Sequence, residues 1–115
     1  MPKPSATAGP EARVVLTTEA TPEEAERLGR TLVEERLVAC ATMIPTVQSI
    51  YRWEGQVETS GEILMLLKTV ADQLPALEAR LIELHSYQTP EFLVLRVEAG
   101  CQPYLDWIES SLRRV

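Results

Sequence analysis

Residues 39–69, ACATMIPTVQSIYRWEGQVETSGEILMLLKT, decide the fold. From Thr46 onward the pattern alternates. Val47, Ser49, Tyr51 and Trp53 fall to one side, and Gln48, Arg52 and Glu54 to the other. A period of two is the mark of a half-exposed strand. Ile63 to Leu67 is an unbroken apolar run, the composition of a strand covered on both faces. Between them lies a turn-rich patch, Glu58, Thr59, Ser60 and Gly61, so a hairpin is expected with its turn there. That hairpin is long for its domain. A straight strand from Ala39 to Val57 would span roughly 60 Å at about 3.3 Å per residue. A domain of this length is only about 30 Å across. Pro45 is expected to bend or bulge the strand, because proline cannot donate to a ladder. The tip that carries Ile50, Tyr51 and Trp53 then projects beyond its own sheet. Exposed apolar strand surface of that kind invites a second chain to cover it. The sequence therefore predicts a homo-oligomer, with these three residues as interface candidates.

The flanking segments supply the rest of a sheet and its helices. Arg13 to Thr18 (RVVLTT) reads as a short β-branched strand. Thr21-Pro22-Glu23-Glu24 is a helix start, with Thr21 as cap, Pro22 at the first helical position and Glu24 completing a capping box. Ala25, Leu28, Gly29, Leu32 and Val33 follow at the spacing of one helix face. Gly29 on that face predicts a close approach to the sheet. Downstream, Asp72 is expected to cap a second helix that tolerates Pro75 in its first turn and places Leu74, Leu77, Leu81 and Leu84 on one stripe. Residues 85–90, HSYQTP, break the pattern before a strand over Phe92 to Val97, which Gly100 ends. Pro103 opens a last short helix bearing Tyr104, Trp107, Ile108 and Leu112. The order gives an α+β, ferredoxin-like βαββαβ plan with a long central hairpin and an extra C-terminal helix. Its helices lie on one face of an antiparallel sheet, so the other face also needs cover. Met1 to Ala12, with three prolines and nothing to bury, reads as a disordered arm before a single domain over residues 13–115.

Composition narrows the function classes. The 115 residues carry a net charge of −6 and a pI near 4.8. That balance argues against a nucleic-acid partner and against anionic membranes. The longest apolar run is far short of a membrane span. No basic segment followed by an apolar core opens the chain, and a cytoplasmic location is expected. Two cysteines, Cys40 and Cys101, are too far apart to suggest a disulfide framework, so free thiols are expected.

Catalytic signatures are scarce. There is no glycine-rich phosphate loop, no H-E-x-x-H, no C-x-x-C and no nucleophile elbow. The single histidine, His85, sits with Tyr87 and Glu91 in the most chemically varied cluster. One reading is a polar loop in which Tyr87 packs its ring. The other is a metal or ligand site to which His85 gives a nitrogen and a neighbouring chain the remainder. Cys40 is either a small buried hydrophobe or a soft ligand for copper. Cys101, at a helix start, is either a plain surface cysteine or a thiol shifted by the helix dipole. Tyr51, Trp53 and Glu54 either fill an interface or wall an intersubunit pocket with Lys68 as its charged group. Glu54, Glu62 and Glu91 could serve with the histidine as acid and base, but nothing fixes their spacing and no enzyme is predicted.

ACATMIP, SIYRWEG, ILMLLKT, HSYQTPE and the closing YLDWI together resemble the CutA divalent-cation tolerance family, in order from about Val14 to Leu112. The resemblance implies a ferredoxin-like subunit in a tight homotrimer whose long hairpins reach across to neighbours. It also implies a cytoplasmic role in tolerance to copper and other divalent metals, with no enzymatic activity. The architecture is similar to that of PII signalling proteins, whose intersubunit clefts bind small ligands. The alternative it implies is therefore a regulatory module taking a small anion or metabolite near Lys68 and Trp53, with Tyr87 and Glu91 also in the cleft. Some family members carry a cysteine in the first strand and a histidine pair, proposed as copper ligands. Here those positions are Thr17 and Leu84-His85, followed by Ser86, so the metal candidates are His85 and Cys40.

Overall fold

The computed structural model describes residues 11–113. Its elements are β1 (Ala12–Glu19), α1 (Pro22–Glu34), β2 (Cys40–Trp53), β3 (Gln56–Val70), a 3-10 turn (Ala71–Gln73), α2 (Leu74–Leu84), β4 (Leu93–Arg96) and α3 (Gln102–Leu112). The strands form one sheet in the order β2-β3-β1-β4, and every neighbouring pair is antiparallel. This is the ferredoxin-like arrangement, with the two apolar strands central and the crossovers carried by α1 and α2. The expected arm lies outside the described residues up to residue 10. The sheet itself opens one residue earlier than expected, because buried Ala12 pairs with Val70.

The hairpin's turn lies earlier than expected, so β2 is shorter, ending at Trp53, and β3 longer, opening at Gln56. The strands reverse at Glu54 and Gly55, with φ of 50° and 81°, and Trp53 pairs directly with Gln56. A two-residue turn with positive φ at both centres matches the strands' right-handed twist. Glu58 to Gly61, expected to turn, are extended within β3, where Gly61 faces Gln48. Their polarity reflects a ribbon exposed to solvent rather than a change of direction. Pro45 does interrupt the ladder: the register shifts between Ile44 and Val47. The described residues measure 56 × 27 × 23 Å, so the ribbon sets the long axis.

Val15, Ile63, Met65 and Leu67 from the sheet meet Ala25, Leu28 and Leu32 of α1 and Leu77 and Leu81 of α2. Each of the valine, leucine, isoleucine and methionine side chains among them contributes about 1.5–3 kcal/mol on full burial. Thr21 accepts from the Glu24 amide at 3.1 Å, but the Glu24 side chain pairs with Arg27 instead of closing the capping box. Val33 is exposed, having turned past the buried stripe that ends at Leu32. Gly29 is where α1 rides closest to the sheet, since a Cβ there would lie 3.1 Å from Ala41 Cβ. The 3-10 turn displaces Asp72 from the cap of α2, whose N-cap, Gln73, makes no side-chain bond.

β4 is shorter than expected, and Phe92 leaves the strand to pack on the core. In α3 the buried positions are Leu105, Ile108 and Leu112; Tyr104 and Trp107 face outward, their rings 5.5 Å apart. On the sheet face away from α1 and α2, Leu16, Leu64 and Leu66 are half-buried, while Ile44, Leu93 and Leu95 are exposed. Among the described residues no helix is long and apolar enough to cross a membrane.

Candidate functional site

β1 ends in Thr17, Thr18 and Glu19, all buried. Buried polar groups need partners, and these find them in the segment leaving α2. His85 caps that helix, its amide bonded to the Leu81 carbonyl at 2.9 Å, and its extended backbone swings the ring under β1. The Tyr87 amide donates to His85 Nδ1 at 3.0 Å. A backbone amide can only donate, so Nδ1 holds a lone pair and Nε2 carries the proton. Nε2 then donates to the Thr18 carbonyl at 2.7 Å, with Thr17 Oγ1 at 3.3 Å. Glu19 Oε1 accepts from Ser86 Oγ at 2.5 Å, and Glu19 Oε2 lies 3.6 Å from His85 Nδ1.

From this anchor the chain passes to the sheet's far end. The Tyr87 ring leans on His85 at 4.9 Å, and its hydroxyl donates to Glu62 Oε2 at 2.5 Å. Burial, reinforced by the Glu62 carboxylate, holds the Tyr87 phenol protonated well above the ordinary tyrosine value. Between the ribbon and residues 86–91 opens a cleft of about 890 Å³, with Ile50, Tyr51 and Trp53 on one wall, Glu62 at its base and Tyr87 to Glu91 opposite. Tyr51 is fixed by a 2.8 Å bond to Ser60.

The structure thus gathers Ile50, Tyr51, Trp53, Tyr87 and Glu91 around one cleft and places His85 behind it. Lys68 and Cys40 stand apart. Lys68 Nζ donates to Thr42 Oγ1 at 2.7 Å and lies 3.8 Å from Cys40 Sγ. Cys40 pairs with Lys68 and Thr18 with Leu64, a separation of roughly 13 Å along β3 at about 3.3 Å per residue. Both His85 nitrogens are engaged, and an ammonium beside Cys40 opposes a second cation. Among the described residues no three of His, Cys, Asp and Glu converge. Within one subunit the donors present do not fit a soft-metal site. Sequence reasoning missed Glu19 and gave Ser86 no role. The available signal was a charged residue closing a β-branched strand, opposite apolar Ile63.

The sequence profile of the family described as CutA1 divalent ion tolerance protein matches residues 13–111. The chain belongs to that family. The divalent-cation tolerance protein CutA of Thermus thermophilus is 42% identical over 98 residues, covering 85% of this chain and 95% of that one. The CutA of Pectobacterium atrosepticum is 43% identical over 103 residues, covering 90% and 94%. Among solved structures, CutA from Synechococcus elongatus superposes with a TM-score of 0.87 at 40% identity, covering 90% of this chain and 92% of its own. CutA1 from Oryza sativa gives 0.88 at 33% identity, covering 94% and 99%. The CutA fold is therefore shared along almost the whole chain, ribbon included.

Proposed function

We propose that the chain serves divalent-cation tolerance, as a cytoplasmic homotrimer without enzymatic activity. The observation that carries this reading is the family match, which spans residues 13–111. Assembly is supported by the apolar surface of the ribbon, where Ile50 is 69% and Val57 65% exposed, and by the outer edge of β2, which no strand among the described residues pairs. A ribbon that lies on the next subunit makes a heterologous contact, and such contacts close into a ring when the rotation between subunits closes. Copper is the ion to test first, although any copper site has to draw ligands from two subunits or free His85 from its backbone partners. A strain lacking the gene is expected to lose growth on copper-supplemented medium and to regain it with the gene restored. Unaltered growth across copper, zinc and cobalt would remove the tolerance role. Fractionation tests the location, for which the Archaeoglobus fulgidus relative, described as periplasmic, is the instructive contrast.

A second reading is favoured by the cleft itself. Its volume of about 890 Å³ and its aromatic wall suit a small molecule. A PII-like regulatory module binding such a ligand between subunits is expected to show a raised melting midpoint in a metabolite screen, because a ligand selective for the native state stabilises it.

A further inference from the structure

Glu62 is only 8% exposed, yet it lines the cleft with no ion-pair partner among the described residues. Tyr87 Oη donates to its Oε2, while its Oε1 takes no hydrogen bond among the described residues and is not sealed from solvent, so it is open to a donor entering the cleft. A largely buried carboxylate gains from any donor or counter-charge that meets it. One phenol supplies a single donor to a group that can accept several. The lining adds a second carboxylate, Glu91, and among the described residues contains no lysine, arginine or histidine. The rings of Tyr51, Trp53 and Tyr87 stand around these groups, and aromatic faces attract positive charge. Lys68, which would have favoured an anion, is bonded to Thr42 outside the cleft.

We propose that this cleft binds a small organic cation, an alkylammonium whose N–H groups reach Glu62 and whose carbon chain lies along the aromatic wall. The proposal rests on the small-ligand reading of the cleft and reverses the ligand charge expected from the sequence. An organic ion fits better than a bare metal on two counts. The volume is that of a molecule rather than an ion, and three metal-ligating side chains do not converge among the described residues.

The test uses three probes of matched length, butylammonium, butan-1-ol and butyrate, on the full chain. In a Trp107→Phe background Trp53 is the sole indole, so its fluorescence reports on the cleft wall. Butylammonium is expected to saturate the signal about tenfold more tightly than butan-1-ol, with butyrate weaker still. Glu62→Gln keeps an oxygen for Tyr87 but removes the charge, and is expected to erase that preference. Tighter binding of butyrate would overturn the cationic class and leave the small-ligand cleft standing. So would equal binding of all three probes, or an undiminished preference in Glu62→Gln. Magnesium chloride reproducing the butylammonium response would reassign the charge to an inorganic ion and overturn the organic class. No saturation by any probe would remove the cleft as a ligand site, and this proposal with it.

Discussion

Removing the His85 imidazole takes a partner from the buried Thr18 carbonyl and from the half-buried Tyr87 amide. Each such loss costs about 1–3 kcal/mol, so His85→Ala is expected to lower stability by about 2–4 kcal/mol in urea denaturation. An unchanged midpoint would show that the ring is not the fastener described. Copper titration of the same variant should match wild type, since neither ring nitrogen has a lone pair to spare. Tyr87 makes a different prediction, through pH. Its folded phenol titrates above the unfolded value, which is about 10. The folded state therefore holds its proton longer, and this stabilisation is complete below about pH 10 and lost as pH rises beyond it. Tyr87→Phe should flatten the alkaline decline in melting temperature, and an identical slope in both proteins would refute the assignment. At this scale the sequence pointed to the loop that lines the cleft but not to its bonding. His85, Tyr87 and Glu91 were legible as a cluster because polar residues gather there. Glu62 was legible only as one of three carboxylates with no fixed spacing, and Glu19 not at all, because their partners lie 25 and 67 residues away.

Among the elements, local signals were read well where the backbone demanded one residue type and poorly where two types would serve. Gly29 belongs to the first group. Alanine there gains about 1 kcal/mol of helix propensity, but its Cβ would press on Ala41 Cβ at 3.1 Å and on Met65 Cε at 3.3 Å. Ala41 is fixed to its strand and cannot yield, and overpacking costs about 1–3 kcal/mol. Gly29→Ala should therefore lower stability by on the order of 1 kcal/mol, with a stabilised protein as the contrary result. The ribbon turn belongs to the second group. Glu-Gly is a weak turn signal beside Glu-Thr-Ser-Gly, and only the φ of 50° at Glu54 reveals where the chain reverses. Asparagine tolerates that conformation better than glutamate. Glu54→Asn should raise the unfolding free energy by about 0.5–1 kcal/mol by the reasoning of relieved backbone strain, and a fall would argue against this turn geometry.

At the level of the whole molecule the sheet's periodicity and the crossover order were enough to give the fold, and the long ribbon with it, while the division of the ribbon between its two strands needed the corrected turn. With the reversal at Glu54 and Gly55, β3 runs 15 residues and the long axis reaches 56 Å. Trp53, at the far end, is 43% exposed, and it pairs across the turn with Gln56, away from the helices. Its own subunit therefore leaves much of the ring open, on the wall of the cleft. If the neighbouring subunit supplies that packing, Trp53→Glu places an unpaired charge in an apolar contact, a change that costs several kcal/mol at interface centres. The same substitution on a free ribbon would sit in water and change little. Light scattering on a dilution series separates these cases, with circular dichroism confirming that the variant is folded. A fall in mass at concentrations where the wild type stays assembled is the expected result. An undiminished mass would put Trp53 outside the contact and move the interface to the sheet face bearing Leu93 and Leu95, which is the other apolar surface left open by α1 and α2.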